Sequence, residues 1–217
     1  MRDLVAVTQL TLDGVMQAPG APEEDPTGGF AHGGWSVAYF DDVLGEALDE
    51  AMARPFDIVL GRKTYEIFAA HWPYADDPVA RTLNAATKHV ASTTLKRLEW
   101  SNSSLIEGDV PAGIARLKRQ GGPELQVLGS WDLVQTLIAH ELVDEFRVWI
   151  FPVLVGPGKR LFAGGTPPAG LRLDEATTTT TGVVIATYRH AGALPTGTYA
   201  FEEPTNAEVR RREHLER

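Results

Sequence analysis

A chain of 217 residues with 43% hydrophobic and 23% charged residues is long enough for one substantial globular domain or two small ones. The net charge of −9 excludes general affinity for nucleic acid or anionic membranes, and the absence of cysteine excludes disulfides, thiolate zinc sites and cysteine nucleophiles. The start of the chain lacks a signal-peptide pattern, and no apolar run approaches the roughly 20 residues of a membrane span, so we expect a cytoplasmic protein.

The apolar pattern alternates between strand-like and helix-like segments through most of the chain. Predicted strands, each bounded by turn residues, cover 4–12, 57–60, 88–91, 124–128 and 144–151, and a closing hairpin joins 171–181 to 183–190 about Gly182. Predicted helices cover 63–70, 78–85, 108–120 and 131–141, and a first helix, capped by Asp41 or Asp42, ends near residue 53. Strands that alternate with helices indicate a mostly parallel α/β sheet, to which the hairpin adds antiparallel strands.

Two segments stand outside this alternation. Residues 17–35 are rich in proline, glycine and acidic residues, so we predict a long loop that is either a functional element or a surface insertion. The composition changes again after residue 192, and Thr205 to Glu208 form a capping-box pattern ahead of a strongly charged stretch. We therefore expect one domain over 1–192 and a tail over 193–217 that contains a short, solvated helix.

Three predicted strand ends carry residues suited to binding an anionic ligand. They are Gly61-Arg62-Lys63-Thr64, Ser92-Thr93 and Gly129-Ser130-Trp131-Asp132. Backbone N–H groups at a helix start attract anions, arginine and lysine add positive charge, and hydroxyl groups donate hydrogen bonds. Because the carboxyl ends of parallel strands lie along one edge of a sheet, the three ends together suit a long ligand with more than one phosphate, such as a dinucleotide.

Other common sites lack their defining residues. No Gly-x-Gly-x-x-Gly follows a strand, so a Rossmann site is not supported, and Gly158-Lys159 lacks the upstream glycine and the following hydroxyl residue of a P-loop. There is no Gly-x-Ser-x-Gly nucleophile elbow. The six histidines are scattered, and we expect no metal site.

Five segments, taken in chain order, form a recognisable set. They are 11–16 (TLDGVM), 59–66 (VLGRKTYE), 128–130 (LGS), 142–146 (LVDEF) and 152–162 (PVLVGPGKRLF). The set resembles the dihydrofolate reductase-like superfamily, and more closely the reductase domain of bacterial riboflavin biosynthesis, which is the C-terminal domain of the deaminase–reductase. The resemblance covers about residues 2–190.

This resemblance implies an NADPH-dependent reductase with a mostly parallel sheet of about eight strands. Each part of the cofactor would contact its own group of residues. The phosphates would contact Gly61, Arg62, Lys63 and Thr64, and the adenosine 2′-phosphate would contact Ser92 and Thr93. The pyrophosphate would lie against Leu128, Gly129, Ser130, Trp131 and Asp132, and the nicotinamide against Thr8, Gln9, Val15 and Met16. Folate reductases have a Gly-Gly pair with a cis peptide bond where this chain has Gly129-Ser130, so the isomer of that bond is open.

The substrate residues are less clearly marked. Folate reductases carry a pterin-binding carboxylate on the helix before the Gly-Arg strand, and counting back from that pair without gaps reaches Gly45. Asp42 and Asp49 lie on roughly the same helix face, so either takes this role if the helix is shifted, or they are an N-cap and a solvated residue. Trp35 and Trp72 either wall a pocket for a flat substrate or belong to the core.

Together these features favour a reductase that transfers hydride from NADPH to a small heterocyclic, pyrimidine- or pterin-like substrate, resembling 5-amino-6-(5-phosphoribosylamino)uracil reductase. The acidic loop has no basic site for a substrate ribose phosphate, and no residue stands out as the general acid, so the catalytic residues are unknown. The alternative is a non-catalytic NADPH or small-molecule binding or sensor module on the same fold. We also expect a homodimer, in which the apolar strand 146–151 with Trp149 is the interface or, alternatively, core.

Overall fold

Eight strands pair into one sheet in the computed structural model, which describes residues 1–215. The strands are β1 (Leu4–Thr11), β2 (Phe56–Gly61), β3 (Lys88–Ala91), β4 (Ser103–Leu105), β5 (Glu124–Leu128), β6 (Glu145–Phe151), β7 (Leu171–Thr178) and β8 (Val184–His190). The helices are α1 (Asp42–Ala53), α2 (Arg62–Ala69), α3 (Pro78–Ala85), α4 (Val110–Arg119), α5 (Trp131–Ala139) and α6 (Asn206–Leu215). Short 3-10 turns occur at Thr27–Gly29, Val37–Tyr39 and Trp72–Tyr74.

The strand order is β4-β3-β2-β5-β1-β6-β8-β7. Neighbours from β4 to β6 pair in parallel, whereas β8 is antiparallel to both β6 and β7. The predicted mostly parallel sheet with an antiparallel C-terminal hairpin is therefore confirmed. Only β4 had no counterpart among the predicted strands, because a three-residue Ser-Ser-Leu edge strand has too few residues to show a pattern.

The central strands are buried on both faces. Each of β1, β2 and β5 contains three consecutive buried residues, at 4–6, 58–60 and 125–127 respectively. Val59 packs in a cluster with residues of α4 and α5, whereas Ile58 and Leu60 pack in a cluster with residues of α2 and α3. Helices thus cover both faces of the sheet, which explains the continuous apolar runs 4–7 in β1 and 58–60 in β2, whereas in β5 the buried Gln126 interrupts the apolar pattern.

Strand β6 lies inside the sheet, between β1 and β8. Its Trp149 is only 8% exposed and packs with Leu44 of α1, Phe151 and Val183. The prediction that this strand forms a dimer interface is therefore wrong, because the protein's own α1 and hairpin turn cover the tryptophan. Homodimerisation itself stays a prediction.

The tail carries the expected short helix. In α6 the Thr205 hydroxyl accepts a hydrogen bond of 3.3 Å from the N–H of Glu208, and the Glu208 carboxylate pairs with Arg211 and Arg212. No residue of this helix is buried. Residues 216 and 217 of the predicted tail lie outside the described residues, and the boundary at residue 192 stays a prediction.

Candidate functional site

The carboxyl ends of β1, β2, β3 and β5 surround one cavity of about 1080 Å³. All three strand ends that the sequence marked contribute to its wall, together with the end of β1 and part of the following loop. The predicted cofactor residues in this wall are Thr8, Gln9, Met16, Gly61, Arg62, Lys63, Thr64, Ser92, Thr93, Leu128, Gly129, Ser130, Trp131 and Asp132. The parallel topology therefore gathers distant segments into one continuous surface.

Ser130 makes three hydrogen bonds, two of which join the turn after β5 to the end of β2 and the start of α2. The Ser130 Oγ accepts from the N–H of Gly61 at 2.9 Å and donates to the carbonyl of Leu128 at 3.1 Å. The Ser130 N–H in turn donates to the Oγ1 of Thr64 at 3.1 Å. Because Gly61 and Thr64 flank the start of α2 and Ser130 precedes α5, these bonds fix the two helix starts relative to each other.

The Gly129-Ser130 turn has an unusual backbone. Both residues are in the left-handed region, with φ of 55° and 57°, and the peptide bond between them is trans. A Cβ at Gly129 would lie 3.6 Å from the Cγ2 of Thr64, which is ordinary contact. The backbone conformation, rather than a lack of space, therefore favours glycine at this position.

Helices α2 and α5 begin at the cavity without a side-chain cap. By contrast, α1, α3 and α4 are each capped by the aspartate that precedes them. Uncapped N–H groups at a helix start are suited to binding phosphate oxygens. Arg62 and Lys63 are exposed in the first turn of α2 and bring positive charge to this end of the helix, although the carboxylate of Glu66, 3.3 Å from Arg62, offsets part of it.

Ser92 and Thr93 continue the wall at the end of β3. The Ser92 Oγ accepts hydrogen bonds from the N–H groups of Thr94 at 3.2 Å and Leu95 at 3.0 Å. A hydroxyl that accepts two hydrogen bonds still has its own proton to donate. The Ser92 side chain is thus oriented by the turn, and its own proton can be donated either to an anionic ligand or to the Thr94 hydroxyl, 3.5 Å away.

The loop over 17–35 forms the wall at the β1 end and is held by the segment after β6. The Gln17 Nε2 donates to the carbonyls of Asp25 and Thr27, both at 2.9 Å. The Lys159 Nζ pairs with the Asp25 carboxylate at 2.5 Å and donates to the Thr27 Oγ1 at 2.9 Å. Gln17, Asp25 and Lys159 line the cavity, so the loop is part of the candidate site rather than a surface insertion.

Burial and hydrogen bonding act in opposite directions on the carboxyl of Asp25. Burial raises its pKa, but the hydrogen bonds from Lys159 and Thr27 outweigh this effect and hold the pKa below its usual value. Asp25 is therefore an ionised partner of Lys159 at neutral pH. The two charges neutralise each other at the edge of the cavity.

Glu24 also lines the cavity, and sequence reasoning missed it. Its Oε2 accepts from the N–H groups of Gly20 at 2.7 Å and Ala21 at 3.3 Å. Burial nevertheless raises the pKa of this carboxyl, and the neighbouring charge of Asp25 acts in the same direction. The sequence shows an acidic loop, but the spacing of its acidic residues does not indicate which of them lines the cavity.

Val15 and Trp35 lie behind the cavity wall. Val15 is fully buried in a cluster with Phe30. Trp35 packs edge-on against Phe151 with ring centroids 5.4 Å apart, and its Nε1 donates to the carbonyl of Gln17 at 2.8 Å. Trp35 thus supports the loop from behind, whereas Trp72 does line the cavity.

The acidic residues of α1 do not line the cavity. Asp42 and Asp49 are both exposed, and the N-cap is Asp41, whose carboxylate accepts the capping hydrogen bond. The helix instead contributes Leu48 and Met52 to the cavity wall. These apolar side chains lie four positions apart and share a helix face, while the two aspartates face solvent.

Among residues 1–215, no group of three or more histidine, aspartate and glutamate side chains is placed to hold a metal ion. Nor does any helix in that part of the chain have the length and apolar character needed to cross a membrane. The chemistry available at the cavity comes from hydroxyl and backbone donors, a few charged side chains and apolar wall residues.

Two curated relatives share part of this sequence. The chain is 29% identical over 140 residues to the uncharacterized protein YyaP of Bacillus subtilis (strain 168), a match that spans 62% of this chain and 74% of YyaP. It is also 29% identical over 119 residues to the uncharacterized protein YwjB of the same organism, spanning 54% of this chain and 63% of YwjB.

Two solved structures share its fold. A protein from Shewanella sp. PV-4 assigned to riboflavin biosynthesis superposes with a TM-score of 0.62 at 18% identity, covering 87% of this chain and 99% of that one. A pyrimidine reductase-like protein from Corynebacterium diphtheriae NCTC superposes with a TM-score of 0.56 at 11% identity, covering 88% and 92%. The family model of the RibD C-terminal domain matches residues 2–185, so the resemblance to the riboflavin reductase domain is confirmed. This chain belongs to the RibD C-terminal domain family.

Proposed function

We propose that this protein is an NADPH-dependent reductase that transfers hydride to a small heterocyclic, pyrimidine- or pterin-like substrate. The observation that carries the proposal is the continuous wall formed by the ends of β2, β3 and β5, with two uncapped helix starts and the cations Arg62 and Lys63. Membership in the RibD C-terminal domain family supports it. The cofactor supplies the hydride, and the protein supplies binding and orientation.

The charge distribution supports a dinucleotide phosphate as the ligand. The protein as a whole has a net charge of −9, so an anion is held only where local groups oppose that field. The starts of α2 and α5 would hold the pyrophosphate, with Thr64, Gly129 and Asp132 around it. Ser92 and Thr93, near Arg62, would receive the 2′-phosphate that distinguishes NADPH from NADH.

The size and the far end of the cavity support a second molecule beside the cofactor. A volume of about 1080 Å³ slightly exceeds the roughly 300–1,000 Å³ that is typical of small-ligand pockets. Thr8, Gln9 and Met16 at the β1 end would line the nicotinamide. The substrate would lie between this end and the apolar wall from α1.

Cofactor affinity of an Arg62→Ala variant tests the proposal. We expect the variant to lose roughly 10- to 100-fold in NADPH affinity and much less in NADH affinity, because only NADPH offers the 2′-phosphate for a charge-assisted hydrogen bond. Titration calorimetry at one fixed salt concentration measures both constants. Arg81→Ala is the matched control, since Arg81 is exposed and does not line the cavity.

Equal NADPH and NADH affinities in the wild-type protein would contradict the 2′-phosphate assignment. Affinities unaltered by Arg62→Ala would also contradict it. A failure of both cofactors to bind would remove the reductase proposal altogether.

A non-catalytic binding or sensor module is the second candidate. The observation that favours it is that no carboxylate of α1, where folate reductases keep theirs, lines the cavity. Oxidation of NADPH, followed by absorbance across a panel of pyrimidines and pterins, separates the two functions. Turnover of any member supports the reductase, and binding of NADPH without turnover across the panel supports the module.

A further inference from the structure

Strand β7 is the outer edge of the sheet on the hairpin side. Among the described strands it pairs with β8 alone, and all eight of its residues are exposed. Such an edge presents unpaired backbone N–H and C=O groups that can hydrogen-bond a strand from another chain. A register shift between Leu173 and Glu175 interrupts the strand, so a regular free edge runs over residues 171–173 at its start.

Apolar side chains at the start of β7 are exposed on one face of the sheet. Leu171 and Leu173 are 40% and 50% exposed, and the register places Leu173 on the same face as Phe146. Phe162 packs edge-on against Phe146 with ring centroids 5.4 Å apart and is itself 48% exposed. Adjoining exposed apolar side chains of this kind mark an interaction surface.

A pocket of about 210 Å³ lies beside this surface. Phe146, Phe162 and Leu171 contribute apolar parts of its wall, and Glu141 and His190 contribute polar ones. None of its residues lines the candidate functional site. An apolar cavity of roughly 150 Å³ is enough to hold benzene, so this pocket has room for one aromatic side chain.

The tail carries two aromatic side chains that its own domain does not cover. Tyr199 is fully exposed and Phe201 is 78% exposed. They alternate with small or polar residues over 198–202 (TYAFE), which is the period of a strand with both rings on one side. In the structure, residues 198–202 belong to no helix or strand. The segment therefore has a strand pattern but lacks a sheet to join.

The position at which the tail leaves the domain makes a second copy of the chain the fitting partner. The Gly170 N–H donates to the carbonyl of Gly192 and the Ala191 N–H to the carbonyl of Gly170, both at 2.8 Å, so the tail begins beside the start of β7. From there the chain's own tail could follow β7 only in the parallel direction, which is the less stable pairing. Two copies related by a twofold axis can each give one tail and receive the other.

We propose that the protein forms a homodimer by exchanging tails, in which residues 198–202 of each copy pair with residues 171–173 of β7 in the other. Tyr199 and Phe201 are two positions apart, as are Leu171 and Leu173, so the two pairs lie against each other on one face. One of the two rings fills the pocket beside Leu171. Because this interface is separate from the candidate functional site, the inference does not depend on the proposed reductase function.

The dissociation constant of the dimer, measured by sedimentation equilibrium on the full-length protein, tests the inference. We expect the wild-type protein to be dimeric in the micromolar range. The double substitution Tyr199→Ser with Phe201→Ser should raise the constant at least roughly tenfold, because buried aromatic side chains contribute much of the binding energy of an interface. Tyr74→Ser is the control and should leave the constant unchanged, since Tyr74 is 84% exposed but lies outside both the tail and β7.

A mixing experiment identifies the exchange itself. Leu173→Asp alters the receiving surface and keeps the tail intact, so it should dissociate the dimer as the tail variant does. An equimolar mixture of the two variants should regain dimers that hold one exchanged tail, since one partner supplies an intact tail and the other an intact edge. Urea unfolding shows whether each variant is folded, and the tail variant alone decides the test if Leu173→Asp is not.

Three results would overturn the inference. The first is a wild-type protein that stays monomeric, whether or not its own tail covers β7. The second is a dimer whose dissociation constant is unaffected by the tail substitutions, because its interface would then lie elsewhere. The third is a mixture of the two folded variants that regains no dimer, which would reject the exchange of tails.

Discussion

The side chain of Ser130 holds the backbone of Gly61, whose N–H lies 2.9 Å from the serine Oγ, although 69 positions separate the two residues in the chain. This hydrogen bond crosses from the turn after β5 to the last residue of β2, and these two strands are neighbours in the sheet. It therefore sets the spacing of the two uncapped helix starts that form the proposed phosphate site.

We expect Ser130→Ala to lower the free energy of unfolding by about 1–3 kcal/mol, because the N–H of Gly61 loses its hydrogen-bond partner. Ser130→Gly removes the same hydroxyl but tolerates the backbone, so it should cost less. Urea unfolding measures both variants. Ser104→Ala is the control, since that exposed hydroxyl makes only a 3.5 Å contact with the Lys88 carbonyl. A control that costs as much as Ser130→Ala would contradict this role of Ser130.

Lys159→Ala should loosen the loop over 17–35. The side chains of Lys159 and Asp25 are only 20% and 19% exposed, so the substitution leaves a largely buried Asp25 carboxylate without its cation. We expect a loss of roughly 1–3 kcal/mol in stability and faster amide hydrogen exchange in residues 20–27. Mass spectrometry of deuterium uptake measures the second effect.

A double-mutant cycle shows whether that effect belongs to the ion pair. Asp25→Asn combined with Lys159→Ala should cost less than the sum of the two single changes, because the second substitution removes a partner already lost. Lys96→Ala, at an exposed lysine, should alter neither the unfolding free energy nor the loop exchange. Strict additivity of Asp25→Asn and Lys159→Ala would mean that the two charges do not interact.

The sheet could be predicted from sequence because its central strands are buried on both faces. Continuous apolar runs such as 4–7 and 58–60 carry that information locally, and the turn residues that end the strands mark the edge where the candidate site lies. Strand β4 could not be predicted, since its three residues form a strand only through pairing with β3.

The residues proposed to bind the cofactor could be predicted from the sequence better than those at the substrate end of the cavity. Arg62 and Ser130 sit in short motifs at strand ends, where local sequence dictates position. Glu24 and Lys159 are brought to the cavity by contacts between a long loop and a segment more than 130 residues away, which no local pattern encodes. Asp42 and Asp49 share a helix face as predicted, but which face turns to the cavity depends on how α1 packs.

Asp41 should make stability depend on pH in the acid range. The hydrogen bond from the Thr180 hydroxyl, with the N–H groups of Leu44 and Thr181, lowers the pKa of Asp41 from 3.8 to about 2. A carboxyl whose pKa is lower in the folded than in the unfolded protein stabilises the fold at pH values above its unfolded-state pKa. That contribution is lost as the pH falls through the folded-state pKa. The relevant window is therefore between about pH 4 and pH 2.

Unfolding curves at several pH values check this expectation. Asp41→Asn still caps α1 but cannot ionise, so its free energy of unfolding should fall less than that of the wild-type protein across the window. Asp49→Asn, an exposed change on the same helix, should follow the wild-type curve. Parallel curves for Asp41→Asn and the wild-type protein would show that the hydrogen bonds from the hairpin turn do not depend on the charge.

Two glycines should respond in opposite directions to substitution by alanine. Gly45 lies within α1, and a Cβ there would meet nothing within 4 Å, so Gly45→Ala should stabilise the protein by about 0.5–1 kcal/mol through helix propensity. Gly129 has a φ of 55°, so Gly129→Ala should destabilise it by about 1–2 kcal/mol although the added methyl group has room. Thermal and urea unfolding measure both changes.

Because Gly129 also lies in the cavity wall and Gly45 does not, only Gly129→Ala should weaken NADPH binding. If the two variants bind NADPH with equal affinity, the backbone of the Gly129-Ser130 turn does not contribute to phosphate binding.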